Sequence, residues 1–164
     1  GGSKADSSTP KDYSQIIHDA RSDEDNEYDM IFTKGEDGKF TAIDGYSSEY
    51  KADQLDEEIR NMLLPLLNLE EDMYTDFAAS VSGMMVQSYG IAIVKPAEGK
   101  TQDVVDALDA YVQSQQKSME HYLEDQYQIA SAARVATVPT GEVVMVCCED
   151  SDTVFENIKK ALAA

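Results

Sequence analysis

Residues 142–148 read EVVMVCC. In an extended strand Val143, Met145 and Cys147 point to one side while Val144, Val146 and Cys148 point to the other, so both faces of this segment are apolar. A strand of this kind must be covered twice. The stretch SYGIAIV at 88–94 repeats the pattern with smaller side chains, Ile91 and Ile93 standing opposite Ala92 and Val94. A sheet built around these two strands therefore needs helices, or a partner subunit, on each face.

Working outward, SAARVATV at 131–138 leads through Pro139-Thr140-Gly141 into 142–148, which predicts a β-hairpin. Before it, Thr101 is expected to cap a long helix reaching about residue 124. Its apolar positions Val104, Val105, Leu108, Tyr111, Val112, Met119 and Tyr122 recur at helical spacing, and Asp103 falls in the first turn, where the helix dipole favours an anion. After the hairpin, Asp150 or Ser151 caps a last helix carrying Val154, Phe155, Ile158 and Leu162 on one side, with Lys159 and Lys160 near its C-terminus.

Toward the N-terminus, MYTDFAASV at 73–81 reads as a half-buried strand, Gly83 as a turn, and Lys95-Pro96 as the stop of the strand 88–94. Asp53 is expected to cap a helix with Leu55, Ile59, Met62, Leu63 and Leu66 on its apolar stripe, ended or kinked by Pro65. YDMIFT, GEDG and KFTAI form a second hairpin over 28–43, and Thr9-Pro10 start a short helix through KDYSQIIHDA. Helices and hairpins thus alternate, which predicts an α+β fold: an antiparallel sheet of β-hairpins layered against helices. Residues 1–10 (GGSKADSSTP) have the composition of a flexible tether, and 11–164 are expected to form a single α+β domain, with 11–50 contributing a helix and hairpin and 53–164 the core. Helices 101–124 and 151–163 are assigned to one face; the other falls to the N-terminal helix and hairpin, or to a second subunit.

Charge narrows the functional classes. The chain carries 32 Asp and Glu against 13 Lys and Arg, a formal net charge of −19. Binding to phosphate backbones depends on clustered cations, so nucleic acid is excluded as a partner. No run approaches the roughly eighteen apolar residues of a membrane helix. Cys147 and Cys148 are adjacent, and joining them would close a strained ring, so they are expected as free thiols.

Catalytic patterns are absent from the sequence. The two histidines, His18 and His121, both read as surface residues on helices, and no nucleophile elbow, zincin, dinucleotide or P-loop motif occurs. The acidic run at 22–29, SDEDNEYD, invites a hard cation such as calcium, but it lacks the glycine and terminal glutamate of an EF-hand loop. A solvated acidic turn is the expectation, with no metal and no cofactor. Carboxylate pairs suited to glycoside hydrolysis cannot be read from scattered acids, because their separation in space decides the chemistry. Tyr111, Tyr122 and Tyr127 either belong to the core or line a groove, and Met84-Met85 read as gap-filling core.

The order of elements from 55 to 163, with FAASV, YGIAIVKP, the long helix TQDVVDALDAYVQSQQKSMEHYLEDQYQIASAA and the hairpin RVATVPTGEVVMVCCEDSD, resembles the bacterial lipoprotein family known as domain of unknown function 4358. Its most specific part is the Tyr-then-Gln spacing of HYLEDQ, here Tyr122 and Gln126, which the resemblance marks as binding residues. The resemblance implies a protein of a Firmicute-type bacterium on the extracellular face of the cytoplasmic membrane, held there through a lipidated Cys upstream of Gly1. It implies no reaction. The expectation is a non-enzymatic, surface-tethered binding or interaction module, monomer or homodimer, whose partner is an envelope protein or a small ligand. The alternatives are a small envelope enzyme using carboxylates on cell-wall or carbohydrate substrates, and a calcium-dependent adhesin-like domain.

Overall fold

A computed structural model describes residues 11–82 and 86–164. The helix start at Thr9-Pro10, the turn at Gly83 and the core role of Met84-Met85 lie outside the described residues.

Among the described residues, β1 (Ile31–Lys34), β2 (Phe40–Ile43), β3 (Tyr74–Val81), β4 (Gly90–Pro96), β5 (Arg134–Thr137) and β6 (Val143–Cys147) form one fully antiparallel sheet in the order β2-β1-β3-β4-β6-β5. The two doubly apolar segments are neighbours at the centre: Ile91 pairs with Val146 and Ile93 with Val144. The N-terminal hairpin extends the sheet through β1, where Phe32 pairs with Ala79 of β3. It therefore adds strands rather than covering a face.

The helices are α1 (Tyr13–Ala20), α2 (Asp23–Tyr28), α3 (Ala52–Glu58), α4 (Leu64–Leu66), α5 (Thr101–Met119), α6 (Glu124–Ser131) and α7 (Ser151–Ala163). Phe77, Ala79, Ala92, Val94, Val143 and Met145 face one core with Ile59, Leu63 and Leu67 from the α3–α4 segment and Val104, Leu108 and Tyr111 from α5. Ala78, Ile91, Ile93, Val144 and Val146 face a second core with Tyr13 and Ile17 of α1 and Val154, Phe155, Ile158 and Leu162 of α7. The chain is an α/β/α sandwich. The expectation that the long helix and the last helix share a face is corrected: they lie on opposite faces, and α1 is the partner of α7. Alternation along β6 explains why two helical layers are needed, each closing one row of buried side chains.

Other boundaries shift for local reasons. Lys51, not Asp53, occupies the N-cap position of α3, and its backbone N–H donates to Gln54 Oε1 at 3.0 Å. Pro65 does not end this helix. A π-helical turn at Ile59–Leu63 lets the Leu64 N–H reach Ile59 O, and the widened turn relieves the clash a proline ring makes with the carbonyl four residues back. The helix stops instead at Asn68, left-handed at φ 59°, while the Leu69 N–H donates to Leu64 O at 2.9 Å. Lys100, rather than Thr101, is the N-cap of α5, which ends at Met119, and Glu124–Ser131 forms the separate helix α6. β4 runs on through Lys95-Pro96 to pair Pro96 with Tyr74 at the end of its ladder. No helix among the described residues is long and apolar enough to cross a membrane.

Candidate functional site

Where β3 and β6 finish and β4 begins, the sandwich opens into a cleft of about 400 Å³. Its walls come from the α1–α2 corner (Arg21, Ser22, Glu24, Asp25), the approach to β4 (Gln87, Ser88, Tyr89), α6 (Gln126, Ile129) and the start of α7 (Cys148, Glu149, Asp150, Thr153).

The floor is organised by Arg21, the residue that closes α1. Its side chain has no exposed surface. Nε donates to Asn26 Oδ1 at 2.6 Å, Nη1 to Ser80 Oγ and to the Tyr89 hydroxyl, each at 2.9 Å, and Nη2 to Asp44 Oδ2 at 3.0 Å and to the Asp29 carbonyl. All five guanidinium N–H groups are thereby engaged, as a buried arginine requires. Asp44 reaches this position from a turn in which it and Gly45 both have positive φ, 67° and 51°. A side chain at Gly45 would press on Met30 Cγ at 2.9 Å. His18 Nδ1 lies 2.8 Å from Asp44 Oδ2, so the histidine belongs to this support and not to the cleft. His121 is exposed and lies 3.8 Å from Glu120.

The acidic run does not form a turn. It folds as α2 because Ser22 Oγ accepts from the Asp25 N–H at 3.1 Å, and Asp23, Glu24 and Asp25 occupy the first turn at the positive end of the helix. Among the described residues no three His, Cys, Asp or Glu side chains come together to hold a metal ion. Asp25 faces the cleft, and burial raises its carboxyl above the usual range, opposed by the Arg21 charge and by hydrogen bonds from Tyr89 and Ser22. Tyr89 is raised by the same burial.

Ser88 is 2% exposed. Its backbone N–H donates to Gln126 Oε1 at 2.7 Å, while its Oγ has no hydrogen-bond partner among the described residues. A buried hydroxyl left unpaired costs about 1–3 kcal/mol, so it stands out as the one buried side-chain oxygen or nitrogen without a partner among the described residues. Of the two residues singled out by the Tyr-then-Gln spacing, Gln126 therefore sits on the cleft. Tyr122 does not: it is 65% exposed on the turn after α5, with its N–H bonded to Met119 O. Tyr111 is in the core, its hydroxyl donating to Tyr89 O at 3.2 Å, and Tyr127 is half-buried, so the three tyrosines share no groove.

The two thiols are free, buried and separated by the sheet. Cys147 lies on the Tyr111 side, and burial pushes it up to about 11. Cys148 lines the cleft and is pushed up to about 12, by burial first and then by the charges of Asp25, Cys147, Asp150 and Glu149. Neither is an activated nucleophile, since the thiolate is the reactive form. Neither Arg21 nor Ser88 was anticipated from the sequence, and Asp25 only as a member of the acidic run 22–29. The one available signal for Arg21 was an isolated cation at a helix end beside SDED; nothing in the residue order marks Ser88.

Fold and cleft together define a class: an α/β/α sandwich on an all-antiparallel sheet, with an acid-rimmed recess at one end. Residues 47–148, more than half of the chain, match the family described as Domain of unknown function (DUF4358), and the chain belongs to that family. The match omits α1, α2, the first hairpin and α7, so the cleft is assembled from both matched and flanking segments. No curated protein and no solved structure matches the chain.

Proposed function

We propose that this protein is a non-enzymatic binding module, carried on the outer cell surface by the tether 1–10 and a lipidated Cys upstream of Gly1, and that its ligand seat is the cleft between α2, α6 and α7. One observation carries this reading: Ser88, a residue of the recess wall, has the one buried side-chain oxygen or nitrogen without a hydrogen-bond partner among the described residues. A rotation of the Ser88 side chain toward the recess lets a bound molecule donate to or accept from this hydroxyl and recover the lost hydrogen bond. The recess is large enough for a small ligand and is bordered by helix ends on a rigid sheet, which holds its shape before binding. The lipid anchor rests on the lipoprotein resemblance and on the tether-like composition of 1–10. The test is a mixed fragment library followed by amide-resolved NMR. Hits are expected to move the Ser88, Gln126 and Asp150 amides together, whereas hits that scatter elsewhere remove the cleft as the seat.

A second reading, a small envelope enzyme working through carboxylates on carbohydrate or cell-wall substrates, is favoured by the raised carboxyl of Asp25, since a carboxyl that holds its proton to higher pH than usual is better suited to act as a general acid. Turnover of an oligosaccharide panel that disappears in Asp25→Asn would support it; an inert panel removes it.

A further inference from the structure

The rim of the cleft carries four carboxylates, Glu24, Asp25, Glu149 and Asp150, against a single cation. That cation, Arg21, is already engaged at all five N–H groups and lies 3.0 Å from Asp44, so it has no free donor for a ligand anion. The field inside the recess is negative, and the Cys148 thiol registers it: three of these carboxylates push its ionisation further up. The acids are spread around the walls rather than gathered on one point, and no metal-holding group occurs among the described residues. This distribution suits a charge spread over an organic group better than a bare ion, which demands several oxygens at one centre. Beside the acids stand two neutral hydrogen-bonding groups, the unpartnered Ser88 Oγ and the side-chain amide of Gln126.

We propose that the cleft takes a small organic ammonium compound, its charge held among Glu24, Asp25, Glu149 and Asp150 and an adjacent hydroxyl or carbonyl met by Ser88 and Gln126. This rests on the cleft being the ligand seat. Specificity comes from both halves: the acids reject carboxylates, and the unpaired hydroxyl rejects amines without a second polar group, which would leave it buried and unsatisfied.

The test uses the full chain and two matched series, ethanolamine, ethylene glycol and glycolate, then glucosamine, glucose and glucuronate, titrated at low salt and read on the Ser88, Gln126 and Glu149 amides. Ethanolamine and glucosamine are expected to bind at least about tenfold more tightly than their neutral counterparts, with the acids silent. About 0.5 M sodium chloride weakens the ammonium compounds and leaves any neutral binding unchanged. Glu149→Gln and Asp25→Asn each weaken glucosamine by about tenfold while the remaining amide spectrum stays folded. If glucose or glucuronate moves these amides as strongly as glucosamine, the charge assignment is wrong while the cleft remains the seat. Silence of all six probes overturns the ammonium assignment, and the seat is then judged by the fragment library alone.

Discussion

Arg21 Nη2 stands 3.0 Å from Asp44 Oδ2, tying the end of the first helix to the turn that follows the second strand, 23 residues away. Both side chains are almost fully shielded, so each is the condition for the other's burial. Removing one partner of such a pair leaves an uncompensated charge. Asp44→Asn, which tolerates the left-handed backbone, is expected to lower stability by about 3 kcal/mol in urea denaturation because it strands the Arg21 charge, and Arg21→Met to lower it at least as much, because it strands the Asp44 carboxylate and removes the donor to Asn26, Ser80 and the Asp29 carbonyl. A loss under about 1 kcal/mol for either variant would mean that the pair contributes no more than an exposed one.

The antiparallel α+β layering was legible because β6 and β4 carry apolar residues on both faces, a pattern that only a doubly covered sheet satisfies. Which helix covers which face was not legible. The stripe Val154, Phe155, Ile158 and Leu162 fixes that α7 is amphipathic, but one sandwich face looks like the other from a single helix. The break after Met119 was missed because apolar spacing continues formally to Tyr122, which in fact points to solvent. The acidic run was misread as a turn because its cap, Ser22, was counted as part of the run. Of the residues that line the cleft, Gln126 was singled out by its spacing. Ser88 and Arg21 were not, since burial and hydrogen-bond satisfaction depend on residues up to 68 positions apart.

Gly90 admits Tyr111. A methyl group there would meet Tyr111 Cε2 at 2.9 Å and Met145 Cε at 3.1 Å. Met145 can yield at its flexible end, but the ring is held by its hydrogen bond to Tyr89 O. Gly90→Ala is expected to cost about 1–3 kcal/mol, read as a lower denaturation midpoint, and Gly90→Ala with Tyr111→Phe to recover part of it.

Stability should fall on the alkaline side. Cys147 and Cys148 hold their protons to about 11 and 12 in the folded chain. In the unfolded chain a thiol ionises from about 8.5, so between these limits the unfolded state binds fewer protons and loses less by the rise in pH. Each thiol then removes about 1.4 kcal/mol per pH unit. Denaturation midpoints from pH 8 to 10 are expected to drop, and Cys147→Ser with Cys148→Ser to flatten the decline; an unchanged slope would place its origin elsewhere.

Burial raises Asp25, so its proton is favoured in the folded state and its ionisation opposes folding. The stabilising effect of that proton is present below the unfolded carboxyl range and is lost as pH rises through the folded value. Asp25→Asn is expected to raise the melting temperature near neutrality, with the advantage over the parent shrinking as the pH is lowered. A constant difference at all pH values would contradict the sign of this linkage.

The most direct measurement is Ser88→Ala, followed by two readouts on the same protein. Removing a buried hydroxyl that has no partner among the described residues should leave the free protein as stable as the parent or slightly more so, while glucosamine affinity read at the Gln126 amide falls by about tenfold. A variant that loses stability and keeps its affinity would show that Ser88 serves the fold and that the recess has been assigned a role it does not have.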